Sequence, residues 1–179
     1  MKSLRPIALL TLTAAAAQAY NIEFQFGVNK PQSGDLAGNF KSNSATGIAW
    51  SANPTEQISL GVTYSLRTLE HTPTAPLSTA VSNDVKTLTV DFTYELSPSQ
   101  SGIRPFVGVN LGNSWIDTAS GNDTAVTGML NAGLRFDVSD SVDVVLGARY
   151  FTLWNVNYTN TVEEDTKGWE SFAAIRLKF

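Results

Sequence analysis

The sequence contains no cysteine and only one histidine, His71. The lack of cysteine excludes disulfide bonds and thiolate metal sites, and a single histidine excludes a multi-histidine zinc site. Charged residues make up only 16% of the 179 residues, and the net charge is -4. A nucleic-acid partner would need a basic surface. We therefore expect no metal, no other cofactor and no nucleic-acid partner.

Long hydrophobic runs are also missing. The apolar run over residues 7–17 is too short for a spanning helix, which needs about 20 residues. It follows a basic stretch with Lys2 and Arg5, and it ends in the cleavage signal Ala17-Gln18-Ala19. This order is typical of a secretory signal peptide. We predict that residues 1–19 are the signal peptide, cleaved before Tyr20, and that residues 20–179 form one domain.

Eight segments of the remaining chain alternate apolar residues with polar or small ones. In residues 57–66, for example, Ile58, Leu60, Val62 and Tyr64 share one face. A period of two indicates strands, and most segments have the length of about 9–11 residues that a tilted membrane-crossing strand needs. The alternation is weakest in the second of them. The eight segments are 20–28, 44–52, 57–66, 86–96, 104–115, 128–138, 142–154 and 169–179.

Short and long connections follow one another in strict order. The short ones, residues 53–55, 97–102 and 139–140, are rich in Pro, Ser, Asn, Asp and Gly, which turns select. The longer ones are residues 29–43, 67–85, 116–127 and 155–168. This order is typical of membrane barrels with short periplasmic turns and longer outward loops. It predicts an all-β, eight-stranded antiparallel transmembrane β-barrel, an up-and-down meander with four longer extracellular loops.

The two faces of the predicted strands differ in chemistry. The apolar face carries no charge except Lys86 at the start of the fourth segment, whereas the opposite face carries many glycines and most of the strand charges. If the apolar face contacts lipid, the charges fill the lumen of the barrel and must pair there. The predicted lumen network is Glu23, Asp91, Glu95, Arg104, Arg135, Asp137, Asp143, Arg149, Glu170, Arg176 and Lys178.

Aromatic residues on the apolar face cluster near the strand ends. Amphipathic rings prefer the headgroup level of a membrane, which favours a barrel in lipid over a soluble one. Two predicted interface groups result. One contains Tyr20, Trp50, Tyr94, Phe136 and Phe179, and the other contains Trp115, Tyr150 and Trp169.

The chain ends in an alternating strand, residues 173–179, whose last residue is Phe179. In this ending and in its overall pattern, the predicted mature chain resembles the small eight-stranded outer-membrane barrels of bacteria, such as OmpX and the membrane domain of OmpA. The resemblance implies a location in the bacterial outer membrane and contact with its lipids. It also implies that the barrel-assembly machinery recognises the strand ending at Phe179.

Two groups of polar residues could carry chemistry. His71 is followed by Ser78, Ser82 and Asp84 in the second predicted long loop, and nucleophilic catalysis needs such residue types within hydrogen-bond reach. The surroundings of His71 match neither the lipid A acyltransferase PagP nor the deacylase PagL. The acidic run Glu163-Glu164-Asp165 could bind calcium, but it lacks the calcium-loop spacing. We expect solvated loops at both places, with no catalytic and no metal-binding residue.

The sequence therefore predicts a non-enzymatic outer-membrane barrel with an envelope-structural role. Its charge-filled lumen would be closed, and its outward loops could recognise an extracellular partner. Three alternatives remain open at this point. They are a narrow channel for ions or small solutes, a lipid-modifying enzyme, and a soluble secreted barrel that carries a ligand inside.

Overall fold

The computed structural model describes residues 20–32, 41–71, 81–96, 102–118, 121–159 and 162–179, and the predicted signal peptide lies outside them. Within these ranges, no helix is long and apolar enough to cross a membrane. The strands form one closed barrel in which each pairs antiparallel with its neighbours in sequence. The predicted fold class is thus confirmed. The strands are β1 (Tyr20–Pro31), β2 (Asn43–Ala52), β3 (Ile58–His71), β4 (Val81–Glu95), β5 (Ile103–Thr118), β6 (Gly121–Ser139), β7 (Val142–Thr159) and β8 (Val162–Lys178).

The first and last strands close the barrel. β1 pairs with β8 from Asn21 opposite Lys178 to Pro31 opposite Gly168. Beyond the last pair, the backbone amide of Phe179 donates to the carbonyl of Tyr20 at 2.9 Å. We call the end of the barrel that holds Tyr20 and Phe179 the lower end. The opposite end, where β1 leads to β2 and β3 leads to β4, is the upper end.

The predicted apolar face points outward. Twenty-five large apolar side chains of the described residues are exposed on the barrel, with Leu130 and Val138 at 64%. Such a continuous apolar exterior needs lipid around it, since soluble proteins rarely expose apolar patches of this extent. The geometry excludes the alternative of a soluble barrel with an apolar interior along its whole length.

The aromatic residues of the two predicted interface groups lie in two bands on this exterior. At the lower end, Tyr20 stacks on Trp50 with ring centroids 5.8 Å apart, and Tyr94, Phe136 and Phe179 occupy strand ends there. Toward the upper end, Tyr150 packs edge-on against Trp169 at 5.1 Å. Trp115 and Trp154 are exposed in the same upper band. We call the exterior between the two bands the lipid belt.

The prediction of a long loop is wrong at two of the four places, between β5 and β6 and between β7 and β8. β5 and β6 extend to Thr118 and Gly121, and β7 and β8 extend to Thr159 and Val162. Only residues 119–120 and 160–161 separate these strands. The other two connections are shorter than predicted, at residues 32–42 and 72–80. The upper end is therefore built largely from strands rather than loops.

The sequence pattern missed these extensions because the polarity of the strands inverts above the lipid belt. On β3, Leu66 points outward and Arg67 inward, but one step higher Thr68 points outward and Leu69 is fully buried inside. On β4, likewise, Lys86 is exposed and Val85 is buried inside. Above the membrane the exterior faces water, so the apolar residues move to the inside, as in a soluble barrel.

A β-bulge in β7 maintains this inverted pattern. The register with β8 shifts between Leu153 and Val156, and Asn155 has a φ of 56°, a conformation that asparagine tolerates well. Trp154 and Asn155 are both exposed, whereas Leu153 and Val156 are both buried inside. The extra residue thus returns Val156 to the interior.

Because of this inversion, we expect an added charge on the outer face of β4 to be costly in the lipid belt and well tolerated above it. Val90 lies in the lipid belt on the outer face of β4, and Ser82 lies on the same face above it. We expect Val90→Arg to lower the free energy of unfolding in phospholipid vesicles by about 2–4 kcal/mol and Ser82→Arg by about 0–1 kcal/mol. Urea titration followed by tryptophan fluorescence measures both. Equal losses would place the membrane boundary elsewhere.

Candidate functional site

The lower lumen is organised around one buried carboxylate. Glu95 is only 3% exposed and accepts contacts from three guanidinium groups. Arg104 Nη1 lies 3.2 Å from its Oε2, Arg176 Nη1 lies 3.4 Å from its Oε1, and Arg135 pairs with the same Oε1. The three arginines come from β5, β8 and β6, so Glu95 on β4 links four strands across the lumen.

Two further carboxylates, Asp137 and Asp143, lie below Glu95. The fully buried Asp143 contacts Arg104 Nη2 at 3.0 Å and Lys178 Nζ at 2.7 Å. Asp137 pairs with Arg104 and lies 3.9 Å from Lys178 Nζ. The lower lumen thus contains one continuous ionic network. We call this set the lower latch: Glu95, Arg104, Arg135, Asp137, Asp143, Arg176 and Lys178.

A separate ionic cluster crosses the upper lumen. Glu170 on β8 accepts from Arg67 Nε at 2.6 Å and lies 3.4 Å from Arg149 Nε. Arg67 also donates to Ser65 and Thr87 at 3.0 and 3.3 Å. The predicted lumen network did not include Arg67, because this residue lies just beyond the segment 57–66 that showed the strand pattern.

Each of three arginines stacks on a phenylalanine that lies opposite a glycine. Arg149 lies 4.2 Å above the ring of Phe172, and a Cβ atom on Gly147 would lie 2.6 Å from that ring. Arg135 stacks in the same way on Phe106, opposite Gly133, and Arg67 stacks on Phe151, opposite Gly168. The glycines leave room for the rings, and the rings hold the guanidinium groups in place.

A cavity lies between the two clusters, and its lining includes two carboxylates without a salt bridge to a described residue, Glu23 and Asp91. The cavity has a volume of about 60 Å³, enough for a few water molecules. Glu23 accepts from Gln25 at 2.8 Å, and Gln25 accepts from Arg149 at 2.7 Å. Asp91 accepts from Thr89 at 2.7 Å and also from Thr63 and Asn110. Within the described residues, neither carboxylate has a cation within 4.0 Å of its oxygens.

Apolar side chains close the lumen above the upper cluster. They are at most 3% exposed, and five strands, β3 to β7, contribute them. Such a packed apolar layer excludes water and therefore excludes ions. We call this layer the apolar cap: Leu69, Val85, Ile116, Ala125, Met129, Phe151, Leu153 and Val156.

Charges of both signs are balanced below the apolar cap. The described strands direct six acidic and six basic side chains into this part of the lumen, which satisfies the need of buried charges for opposite partners. All eleven residues of the predicted lumen network lie there, joined by Arg67. The acidic residues are Glu23, Asp91, Glu95, Asp137, Asp143 and Glu170, and the basic ones are Arg67, Arg104, Arg135, Arg149, Arg176 and Lys178.

The described members of the two groups with candidate chemistry lie on strands and not in loops. His71 is the last residue of β3, opposite Val81, and its side chain lies outside the described part. Ser82 and Asp84 lie on β4, where Asp84 accepts from Thr68 at 3.3 Å, and Ser78 is outside the described residues.

The acidic run Glu163-Glu164-Asp165 lies on β8, where Asp165 accepts from the amide of Asn155 at 3.0 Å. The side chains of Glu163 and Glu164 lie outside the described part. Among the described residues, no group of three or more His, Asp or Glu side chains could hold a metal ion.

Comparisons with known proteins agree with this architecture. A family model described as "Outer membrane protein beta-barrel domain" matches residues 5–168. The fold resembles that of Neisserial surface protein A, with a TM-score of 0.69 and 19% identity over 90% of this chain and 99% of that one. It also resembles OprG of Pseudomonas aeruginosa, with a TM-score of 0.63 and 10% identity over 92% and 97% of the two chains. No curated protein sequence is significantly similar to this chain.

The position of Glu95 predicts a large penalty for its neutralisation. Glu95→Gln removes the carboxylate that pairs with the buried Arg135 and Arg176, whereas Arg104 keeps two other carboxylates. We therefore expect the free energy of unfolding to fall by about 3–5 kcal/mol. The control is Glu70→Gln, because Glu70 pairs with Lys41 on the surface at 3.8 Å, where a loss of about 0–1 kcal/mol is expected. Urea unfolding in vesicles compares the two. A loss for Glu95→Gln no larger than for Glu70→Gln would contradict the proposed role of the lower latch.

Proposed function

Because the chain belongs to the outer membrane protein β-barrel domain family, we propose that it is a non-enzymatic outer-membrane protein with a closed lumen. It contributes to the envelope as an integral barrel, and it presents its upper end to the outside as a recognition surface. The observation that carries this proposal is the double closure of the lumen, with the lower latch at one end and the apolar cap at the other.

The closure argues against the alternative of a narrow channel. An ion that enters from below must separate carboxylates from guanidinium groups that are less than 5% exposed, and breaking such buried pairs costs several kcal/mol. An ion that passes the cavity then meets the apolar cap, whose aliphatic and aromatic side chains cannot replace its hydration shell. Either barrier alone makes steady conduction unfavourable.

The part of the barrel above the lipid belt suits recognition. We call it the turret, formed by the upper ends of β3 to β8. Its outer surface carries exposed polar side chains, such as Glu70, Asp84 and Asp117, on strands instead of long loops. A surface on rigid elements loses little entropy when it binds a partner. The apolar cap inside gives the turret a core of its own.

The proposal also covers export and assembly. Residues 1–19 would act as the signal peptide that is cleaved before Tyr20. The exposed Phe179 at the lower end would be the final residue of the strand that the barrel-assembly machinery recognises. Because β8 pairs with β1 to close the barrel, the machinery would recognise this C-terminal strand before the barrel closes.

The closed lumen predicts no regular conductance. The purified protein in planar lipid bilayers should produce no discrete current steps, because both ends of the lumen are sealed. A general porin in the same bilayers serves as the positive control. Regular steps of constant size, seen only with folded protein and absent after boiling, would favour the channel instead.

The orientation of the barrel can be tested because the native chain has no cysteine. Glu70 lies on the outer surface of the turret, with its side chain 42% exposed, whereas Glu56 is exposed in the turn at the lower end. On intact cells we expect a membrane-impermeant maleimide to label Glu70→Cys and not Glu56→Cys. Both should react once the outer membrane is permeabilised. Labelling of Glu56→Cys alone on intact cells would reverse the orientation.

A further inference from the structure

One side of the barrel carries lysines beside the upper aromatic band. Lys30 on β1 lies directly opposite Trp169 on β8, and Lys167 comes two residues before Trp169 on β8, toward the upper end. All three point outward, and Trp169 is 50% exposed. Diagonal neighbours on one sheet face are about 7–8 Å apart, so the two ammonium groups can reach the same ligand. We call Lys30, Lys167 and Trp169 the seam patch.

The charge of the seam patch is less well compensated than that of the other outward lysines. Lys86 pairs with Asp117 across strands at 3.3 Å, and Lys41 pairs with Glu70 at 3.8 Å. Lys30 forms no ion pair with any described residue, and Lys167 only approaches Asp165, at 4.0 Å. The carboxylate of Asp165 is also engaged by the amide of Asn155. Among the described residues, positive charge is therefore in excess at this place on the outer surface.

The surface below the seam patch is grooved. Phe26 and Val28 on β1 are 60% and 56% exposed, because all their cross-strand neighbours are small. These neighbours form a shallow furrow on either side of the Phe26–Val28 ridge. On β8 they are Ala173 and Ser171, and on β2 they are Thr46 and Ser44.

We propose that the seam patch binds the phosphate-bearing headgroup of a membrane lipid, with an acyl chain of that lipid in the furrow along β8. Two ammonium groups complement a phosphate, and a tryptophan at the headgroup level packs against the polar and apolar parts of the same lipid. The furrow leads from Ala173 through Ser171 directly to Trp169. The inference rests on the proposed function in that it needs the barrel to lie in a bilayer.

Fluorescence quenching tests the site in the intact barrel. The chain has four tryptophans, and replacing Trp50, Trp115 and Trp154 with Phe leaves Trp169 as the only reporter. This full-length variant is placed in phosphatidylcholine vesicles that contain either brominated phosphatidic acid or brominated phosphatidylcholine. The ratio of the two quenching efficiencies gives the preference for the phosphate-bearing lipid at the seam patch. A matched variant that keeps only Trp115, next to the paired Lys86, reports on another side of the barrel.

We expect Trp169 to show a preference for phosphatidic acid of about fivefold for each lysine, because one basic residue near the surface contributes about 1 kcal/mol. Lys30→Gln with Lys167→Gln should remove the preference at Trp169, and Lys30→Arg with Lys167→Arg should retain it. Trp115 should show a ratio near one in every variant. A shift of the unboiled band on gels shows that each variant is folded.

Two results would overturn the inference. One is a quenching ratio near one at Trp169, and the other is a preference that survives the double glutamine substitution. Both leave the membrane barrel itself intact, since brominated phosphatidylcholine would still quench Trp169 and Trp115. Failure of both lipids to quench either tryptophan would instead contradict the location of the barrel in a bilayer, and with it the proposed function.

Discussion

The lumen of an eight-stranded barrel is too narrow for a column of water, and the rest of this structure depends on that constraint. Strand alternation places every second side chain inside, so each inward charge must find its partner in the protein. Glu95 meets this need for three arginines at once, and Glu170 meets it for Arg67 and Arg149. The inward glycines are part of the same solution, because each stacked phenylalanine occupies the space opposite one of them.

Along one strand, the alternation of inward and outward side chains is adapted to lipid in the lower part and to water in the upper part. In the lipid belt, the outside is apolar and the inside is polar, whereas in the turret both faces have changed places. The change occurs within two residues on β3, between Arg67 and Leu69. Since the inward residues above this level need no partners for charges, they can pack as an ordinary apolar core. The barrel therefore reaches beyond the membrane without long loops, and the apolar cap closes the lumen as a consequence.

The sequence predicted the features that depend on the lipid belt. Eight strands, their order, the outward face and eleven lumen charges all follow from apolar residues that recur with a period of two. The extensions of β5 to β8 could not be predicted in this way, because in the turret the outward residues are polar and the alternation with outward apolar residues ends. Arg67 was missed for the same reason, although the predicted network contained six acidic and five basic residues. The repeated Gly-x-Arg of residues 133–135 and 147–149 was the available signal for the stacked arginines.

The barrel wall formed by the strands is taller on one side than on the other. The turret lies on the tall side, and the seam patch lies where the tall β8 meets the short β1. β1 and β2 have only 12 and 10 residues, whereas β5 to β8 have 16 to 19. The apolar cap accordingly takes no residue from β1, β2 or β8. The pairing of β1 with β8 ends at Pro31 opposite Gly168. Beyond it, in the described residues, the backbone amide of Gln32 donates to the carbonyl of Lys167. On the tall side, the strands rise beyond the lipid belt, and surface charges such as Lys86 and Asp117 pair with each other. On the low side, the described part of β1 ends at Pro31, one residue above Lys30, and the lipid that we propose there would supply the counter-charge of Lys30 and Lys167.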